Sequence, residues 1–306
     1  MKRKIPIAFA FDGNLIMPAC VCLTSLLMNA SKETFYDIFI LYPQSAKFDT
    51  WELDRLSIAY GNCKITYKGV EEDFADAYEV RGITTPAYYR LLIPIIISEY
   101  DKVLYSDVDV IFRGDLTHFY DIDIEDYYVA AVDVGVKYRE DIRQYVEDVL
   151  NLDPSGGYFY SGNLVINSKK IREDGIVESF KMYADRKYRF QDMDIMNIVC
   201  NRHIKSISPE FCLTNYLYNL LSSTSIGYSK DELETIFLKG ILHFNGAKPW
   251  KAICLNQDVW WYYYRKSLIY DENFCHNYYD DILAETDRWS LHKRLRHLIR
   301  YFFNKA

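Results

Sequence analysis

The sequence predicts an α/β fold: a mixed, mostly parallel sheet flanked by helices, closed by a basic amphipathic C-terminal helix. Two patterns carry this expectation. Short apolar runs alternate with helical segments from the N-terminus onward, and the last sixteen residues differ in charge from the rest of the chain. IPIAFAF (5–11) reads as a buried strand ending at the loop signal Asp12-Gly13-Asn14. Residues 18–30 read as a helix with Pro18 in its first turn. FYDIFILY (35–42) is a second strand, 49–60 a second helix and CKITY (63–67) a third strand. Strand, helix, strand, helix, strand is the pattern of a parallel sheet with helices on its faces.

The remaining elements follow the same logic. Residues 86–100 read as helical despite Pro94, and DKVLYSDVDVIF (101–112) as one strand with acids embedded in it. YYVAAVD (127–133) is a strand, 139–151 a helix, DPSGG (153–157) a turn and NLVIN (163–167) a strand. Residues 169–186, 191–202 and about 258–269 read as helices, and ILHF (241–244) as a short strand. No internal repeat or low-complexity linker is visible. One catalytic-sized domain over 1–285 followed by a tail over 286–306 therefore fits better than two equal domains.

Composition narrows the function classes. The chain has 306 residues, half of them hydrophobic, and a net charge of −7. That balance excludes a disordered chain and argues against nucleic acid as the main partner. Aromatic residues reach 16 %, which ordinary core packing explains without a special site. The seven cysteines include no CxxC pair, so neither a zinc ribbon nor a disulfide framework is expected; reduced thiols in a cytoplasmic protein are. Met1-Lys-Arg-Lys before IPIAFAF imitates a signal peptide, but Asp12 interrupts the apolar run. Residues 15–30 are too short and mixed for a membrane span.

Chemistry concentrates in two segments. In VLYSDVDVIF, Asp107 and Asp109 are two apart. Within a strand they would project from one face at the end of a buried run. Two such charges repel and lose hydration unless a cation compensates, and a divalent metal is the economical one. The blander account is a pair of solvated acids in a turn. The motif also fits two enzyme templates: a metal site for a sugar-nucleotide diphosphate, or the DxDx[VT] phosphatase pattern, with a nucleophile followed by an acid/base. ILHFNGAKPW (241–250) discriminates between them. His243 can serve as a third ligand, Gly246 permits close backbone approach, and Lys248 can meet phosphate charge. None of the three has a role in the phosphatase scheme.

Taken together, these segments resemble glycosyltransferase family 8, retaining enzymes of the GT-A fold that include bacterial lipooligosaccharide galactosyltransferases and glycogenin. The resemblance runs through about residues 5–250. IAFAFDGN (7–14) resembles the family's uridine-binding strand and loop, which implies nucleoside contacts from Ala10, Asp12 and Asn14. PAYYRLLIP (86–94) resembles the helix whose arginine reaches the donor sugar, here Arg90. DVD matches the metal motif, with Asp107, Asp109 and His243 as ligands of Mn2+ or Mg2+ and Val108 offering backbone to the nucleotide. Asp133 ends VAAVD like the acid that touches the donor hexose, and YSGNLVINSKK (160–170) resembles the N-[AS]-G strand. QDMDIMN (191–197) resembles the DQD helix start and supplies Asp192 and Asp194. HFNGAKPW closes the set, with Gly246 and Lys248 toward the diphosphate.

The resemblance implies transfer of galactose or glucose from a UDP-hexose to a glycan acceptor, as in lipopolysaccharide biosynthesis. Three positions depart from the pattern. Tyr160 replaces the asparagine before [AS]-G, Met193 replaces the glutamine of DQD, and HxxG-x-K is one residue short. Methionine can neither attack nor donate a hydrogen bond. Front-face attack and a double displacement through Asp194 both stay open. So does a catalytically degenerate sugar-nucleotide-binding protein.

The tail supplies a last expectation. In LHKRLRHLIRYFF (291–303), Leu291, Leu295, Leu298, Ile299, Phe302 and Phe303 fall on one helical stripe, and basic residues occupy the rest. That pattern suits a helix lying on a membrane surface, here the inner face, near a lipid-linked acceptor. A terminal helix packed on the domain is the plainer alternative.

Overall fold

The computed structural model describes residues 2–71, 74, 78–79, 84–224 and 227–303. Strand β1 (Arg3–Ala10) leads through a 3-10 turn at Gly13–Leu15 into helix α1 (Ile16–Met28). Next come β2 (Thr34–Pro43), α2 (Trp51–Tyr60) and β3 (Cys63–Val70). A 3-10 segment, Thr85–Leu92, precedes α3 (Ile93–Ile96), β4 (Val103–Ser106), β5 (Val110–Ile111) and α4 (Thr117–Asp121). The middle of the chain forms β6 (Val129–Val132), α5 (Glu140–Asp148), β7 (Asn163–Ile166), α6 (Ser168–Glu173), α7 (Ile176–Ala184) and α8 (Asp192–Val199). Then follow β8 (Ile204–Ile207), β9 (Leu213–Thr214), α9 (Asn215–Ser223), α10 (Lys230–Lys239) and β10 (Leu242–His243). Helices α11 (Gln257–Lys266), α12 (Glu272–Asp287) and α13 (Leu291–Phe303) complete the described chain.

Seven strands form the main sheet in the order β3-β2-β1-β4-β7-β6-β8. Strands β1 to β4 run parallel, β7 runs antiparallel to both its neighbours, and β8 is parallel to β6. The near-continuous apolar run of β1 is what a strand covered on both faces requires. Ile5, Ile7 and Phe9 enter one core, while Ala8 and Ala10 enter the other. This is the two-residue alternation of a pleated strand. Helix α1 sends Ala19, Cys20, Cys22, Leu23, Leu26 and Leu27 into the first core and Val21 into the other. A second sheet, β5-β10-β9, stands at the end of β4.

Three expectations change. The helix expected over 86–100 is a 3-10 segment followed by one short helix, because Pro94 has no N–H to donate and the helix restarts with it in the first turn. The helix expected over 169–186 breaks at Gly175, whose φ of 67° ends α6 and starts α7. Most important, 101–112 is not one strand. The chain leaves the main sheet after Ser106, bends through Asp107–Asp109, and joins the small sheet as β5. Two carboxylates carried on into a fully buried strand would lose hydration with nothing to replace it. Strands β8 and β9 and helices α4, α9, α10 and α12 are not among the expected elements, and α12 runs through position 285. No helix among the described residues is long and apolar enough to cross a membrane. All seven cysteines are free thiols.

Candidate functional site

The bend after β4 is where the chemistry gathers. Asp107 N–H donates to Gly162 O at 2.8 Å, which pins the acidic bend to the chain entering β7. Strand β10 pairs antiparallel with β5, setting His243 opposite Val110. His243 Nε2 consequently lies 3.5 Å from Asp107 Oδ2 and 3.3 Å from Asp109 Oδ1. One ligand atom from each of the three residues falls within 4.8 Å of the others. Two carboxylate oxygens and an imidazole nitrogen suit Mn2+ or Mg2+.

Gly162 makes this convergence possible. A Cβ there would sit 2.3 Å from His243 Cε1 and 2.9 Å from Asp107 Oδ2. The sequence offered Ser-Gly as part of a motif but not this role for the glycine.

Cations compensate the acids. Burial pushes the Asp109 carboxyl upward, but Lys248 and His243 overcome it and hold it well below the usual range. Lys248 Nζ donates to Asp109 Oδ2, and to Phe244 O at 2.7 Å. The shortened HxxG-x-K segment thus still delivers its lysine to the acidic bend. Gly246 is exposed on the loop between. Burial works against a charge on His243, yet Asp109 raises its pKa well above the ordinary value, with Cys212 adding to the effect.

Arg90 organises the other side. Its Nη2 lies 2.9 Å from Asp107 Oδ1 and its Nε 3.1 Å from Asp192 Oδ2. Its Nη1 donates to Ser161 O at 2.7 Å and to Ser161 Oγ at 3.1 Å. Ser161 Oγ in turn donates to Asp192 Oδ2 at 2.8 Å. The guanidinium also lies 4.5 Å from the centre of the Tyr105 ring, whose hydroxyl donates to Asp107 Oδ1 at 2.7 Å. Burial opposes the Arg90 charge, but Asp107 and Asp192 outweigh it and leave a fixed cation. Burial raises Asp192 to about 6, with Arg90 and Ser161 pulling against it. Neither Ser161 nor Tyr105 was singled out in the sequence, since a serine and a tyrosine carry no signal apart from their neighbours.

The other two expected acids make their contacts elsewhere. Asp192 and Asp194 are two apart on α8, so they leave the helix on nearly opposite sides. Asp194 Oδ2 accepts from Tyr145 OH at 2.8 Å and Phe190 N–H at 2.6 Å, and Oδ1 accepts from Tyr158 OH. Burial raises its pKa, and these donors pull against the shift. Asp133 Oδ1 accepts from Gly135 N–H at 2.7 Å and Val136 N–H at 3.1 Å, and Oδ2 from Tyr158 N–H at 3.0 Å. It lines a cavity of about 710 Å3 with Lys137, Arg143, Gly157 and Phe159.

Gln191, just before Asp192, was also not anticipated. It holds φ 50° and ψ −119°, a costly conformation for a residue with a Cβ, and its Nε2 donates to Tyr78 O at 2.6 Å. Met193 is half-buried against the core. Tyr160 is buried, and its hydroxyl accepts from Thr214 Oγ1 at 3.2 Å.

A larger cavity, about 1100 Å3, opens beyond the end of β1 and is lined by Asp12, Asn14, Lys47, Glu79, Thr84 and Tyr89, among others. Asp12 shapes its floor: Oδ1 accepts from Asn14 N–H at 2.9 Å and Oδ2 from Thr84 Oγ1 at 3.3 Å. Ala10 and Val108 turn their side chains into the core, so only their backbone is available to a ligand. Ligand sites in α/β sheets lie beyond the carboxyl ends of the strands, where this cavity opens.

Comparison with known proteins gives the family and the fold. The profile of Glycosyl transferase family 8 matches residues 6–254. Glycosyltransferase GlyB of Streptococcus pneumoniae is 27 % identical over 195 residues, 60 % of this chain and 43 % of that protein. The chain therefore spans less than half of GlyB. General stress protein A of Bacillus subtilis is 27 % identical over 240 residues, 74 % of this chain and 81 % of its own length. Lipopolysaccharide 1,2-glucosyltransferase of Escherichia coli is 25 % identical over 260 residues, 81 % and 74 % of the two chains. Among solved structures, galactosyltransferase LgtC in complex with donor and acceptor sugar analogs superposes with a TM-score of 0.74 at 24 % identity, covering 89 % of this chain and 99 % of that one. That likeness establishes the GT-A fold. The chain is a glycosyltransferase and belongs to glycosyl transferase family 8.

Proposed function

We propose that this glycosyltransferase moves a hexose, galactose or glucose, from a UDP-sugar to a glycan acceptor with retention of anomeric configuration. The observation that carries the reading is the Asp107–Asp109–His243 cluster, backed by Arg90 and Asp192. Asp107, Asp109 and His243 would hold Mn2+ or Mg2+, which supplies positive charge against a departing diphosphate. Family membership removes the phosphatase alternative.

The chain's own residues have distinct tasks. Asp12, Asn14 and the backbone of Ala10 and Val108 receive the nucleoside. Lys248, already oriented by Phe244 O, meets diphosphate charge, and Gly246 leaves room for it to approach. Arg90 fixes Asp192, and Asp192 orients the sugar by accepting from its hydroxyls. Asp133 contributes to the same end if the backbone donors around it release one oxygen. The acceptor hydroxyl attacks the anomeric carbon on the face the leaving oxygen vacates. Its proton passes to that phosphate oxygen as the old C–O bond breaks and the new one forms. Front-face attack is favoured over double displacement because Met193 could attack only through its neutral thioether sulfur, leaving a sulfonium, and both oxygens of Asp194 are engaged by donors.

The acceptor we propose is a lipid-linked glycan of the lipopolysaccharide kind, in keeping with the names of the relatives. Exposed Leu291, Leu295, Leu298 and Ile299 on α13 support docking of the 286–306 tail on the inner membrane face. The side chains of Phe302 and Phe303 lie outside the described residues. Asp107→Ala tests the core of the reading: UDP-hexose turnover is expected to collapse in a chain that still folds, as a single cooperative melting transition would show. Near-normal transfer by that variant would overturn it.

A further inference from the structure

His243 reaches the acidic bend through Nε2, and its other ring nitrogen faces sulfur. Cys212 Sγ lies 3.3 Å from His243 Nδ1, and the thiol is 0 % exposed. The main chain fixes the position of that sulfur. Cys212 N–H donates to Pro209 O at 3.1 Å, and the next residue, Leu213, donates to Ile241 O at 2.8 Å. Strand β9 then pairs in register with β10, Leu213 beside Leu242 and Thr214 beside His243. Gly162 closes the ring's remaining edge at Cε1. The imidazole therefore has one nitrogen on the carboxylates and one on Cys212.

As a metal ligand the imidazole is neutral and carries one N–H. If it sits on Nε2, a proton faces Asp107 and Asp109, and no lone pair is offered to a metal. If it sits on Nδ1, it needs an acceptor, and the sulfur is where an acceptor should be. We propose that Cys212 is a positioning residue for the metal centre. Its sulfur accepts the Nδ1–H of His243 and holds the Nε2 lone pair toward the two carboxylates. This rests on the metal reading given above. Partners that orient a ligating histidine in this way are worth about 10–100-fold in metal affinity.

The test is Mn2+ binding by the full chain, followed through the paramagnetic resonance signal of free Mn2+. Cys212→Ala and Cys212→Ser are compared with the unaltered protein. Cys212→Ala should weaken Mn2+ binding about tenfold or more, and Cys212→Ser, which restores an acceptor oxygen, should recover to within about threefold. Melting temperatures in EDTA identify any variant that has failed to fold. Unchanged affinity in Cys212→Ala overturns the proposal. Equal weakening in Cys212→Ser also overturns it, since sulfur packing rather than hydrogen bonding would then be at work. If the unaltered protein binds no Mn2+, the metal reading fails and takes this inference with it, a result distinct from the other two.

Discussion

Two groups of half-buried and buried acids behave as opposites. Asp107, Asp109 and Asp192 are compensated by Arg90, Lys248 and His243, and Asp107 and Asp109 keep 24 % and 17 % of their side-chain surface open. Asp133 and Asp194 are held by backbone N–H groups and tyrosine hydroxyls, and Asp194 is wholly enclosed. A carboxylate held by neutral, fixed donors must give one up before it can meet a substrate. One balanced by side-chain cations can exchange partners, because a lysine or a bound ion can move. Motif spacing makes all five look alike; the donors around them separate them.

The contrast can be broken by substitution. The largest effect should come from Asp107→Ala, expected to lower kcat/KM by about 10³-fold or more, since it removes a metal ligand and the partner of Arg90. Steady-state transfer from UDP-hexose measures it. Arg90→Lys should follow, at about 10²-fold, because an ammonium cannot span Asp107, Asp192 and Ser161 as a guanidinium fork does. Asp194→Ala should invert the pattern. We expect a loss of about 2–4 kcal/mol in urea unfolding, from three donors left without an acceptor, and a much smaller change in kcat/KM for the folded fraction. If Asp194→Ala abolished turnover with stability intact, the two groups would not differ as claimed.

Asp192 sharpens the comparison through pH. Its carboxyl is raised to about 6, so the folded chain keeps a proton that the unfolded chain has lost. Stability from this group is present below about pH 4 and lost as pH rises toward 6. Asp192→Asn should remove that slope, flattening the unfolding free energy against pH by up to about 1.4 kcal/mol per unit. Urea titrations at pH 4.5, 5.0, 5.5 and 6.0 would read it, and parallel curves would contradict it. The smallest effect is expected from deleting 291–306, which should lower liposome binding and spare UDP-sugar hydrolysis.

Much of this was legible in the sequence, for physical reasons. Strands β1 and β2 were readable because they are buried on both faces and show as near-continuous apolar stretches, whereas β3, at the sheet edge and mostly half-exposed, was readable from its alternation of polar and apolar residues. The acidic bend was readable as chemistry but not as geometry. Periodicity continues smoothly through VLYSDVDVIF, and only the cost of burying two charges explains why the strand stops. Short strands such as β9 and half-exposed helices such as α10 leave too weak a pattern to find. The roles of Gly162, Ser161 and Cys212 were invisible for another reason: each acts on a residue distant in the chain, so that even the Ser-Gly motif does not show what its two residues touch.

The most direct test of the central claim is a thermal-shift panel. UDP-galactose, UDP-glucose, UDP-N-acetylglucosamine, GDP-mannose and UDP would each be measured with Mn2+ and with EDTA. A ligand at a hundred times its dissociation constant stabilises by about 2.7 kcal/mol, enough to move the melting temperature visibly. The account predicts a shift with UDP species that disappears in EDTA and in Asp107→Ala, strongest for the donor hexose. A shift that survives EDTA, or none with any nucleotide, would contradict it.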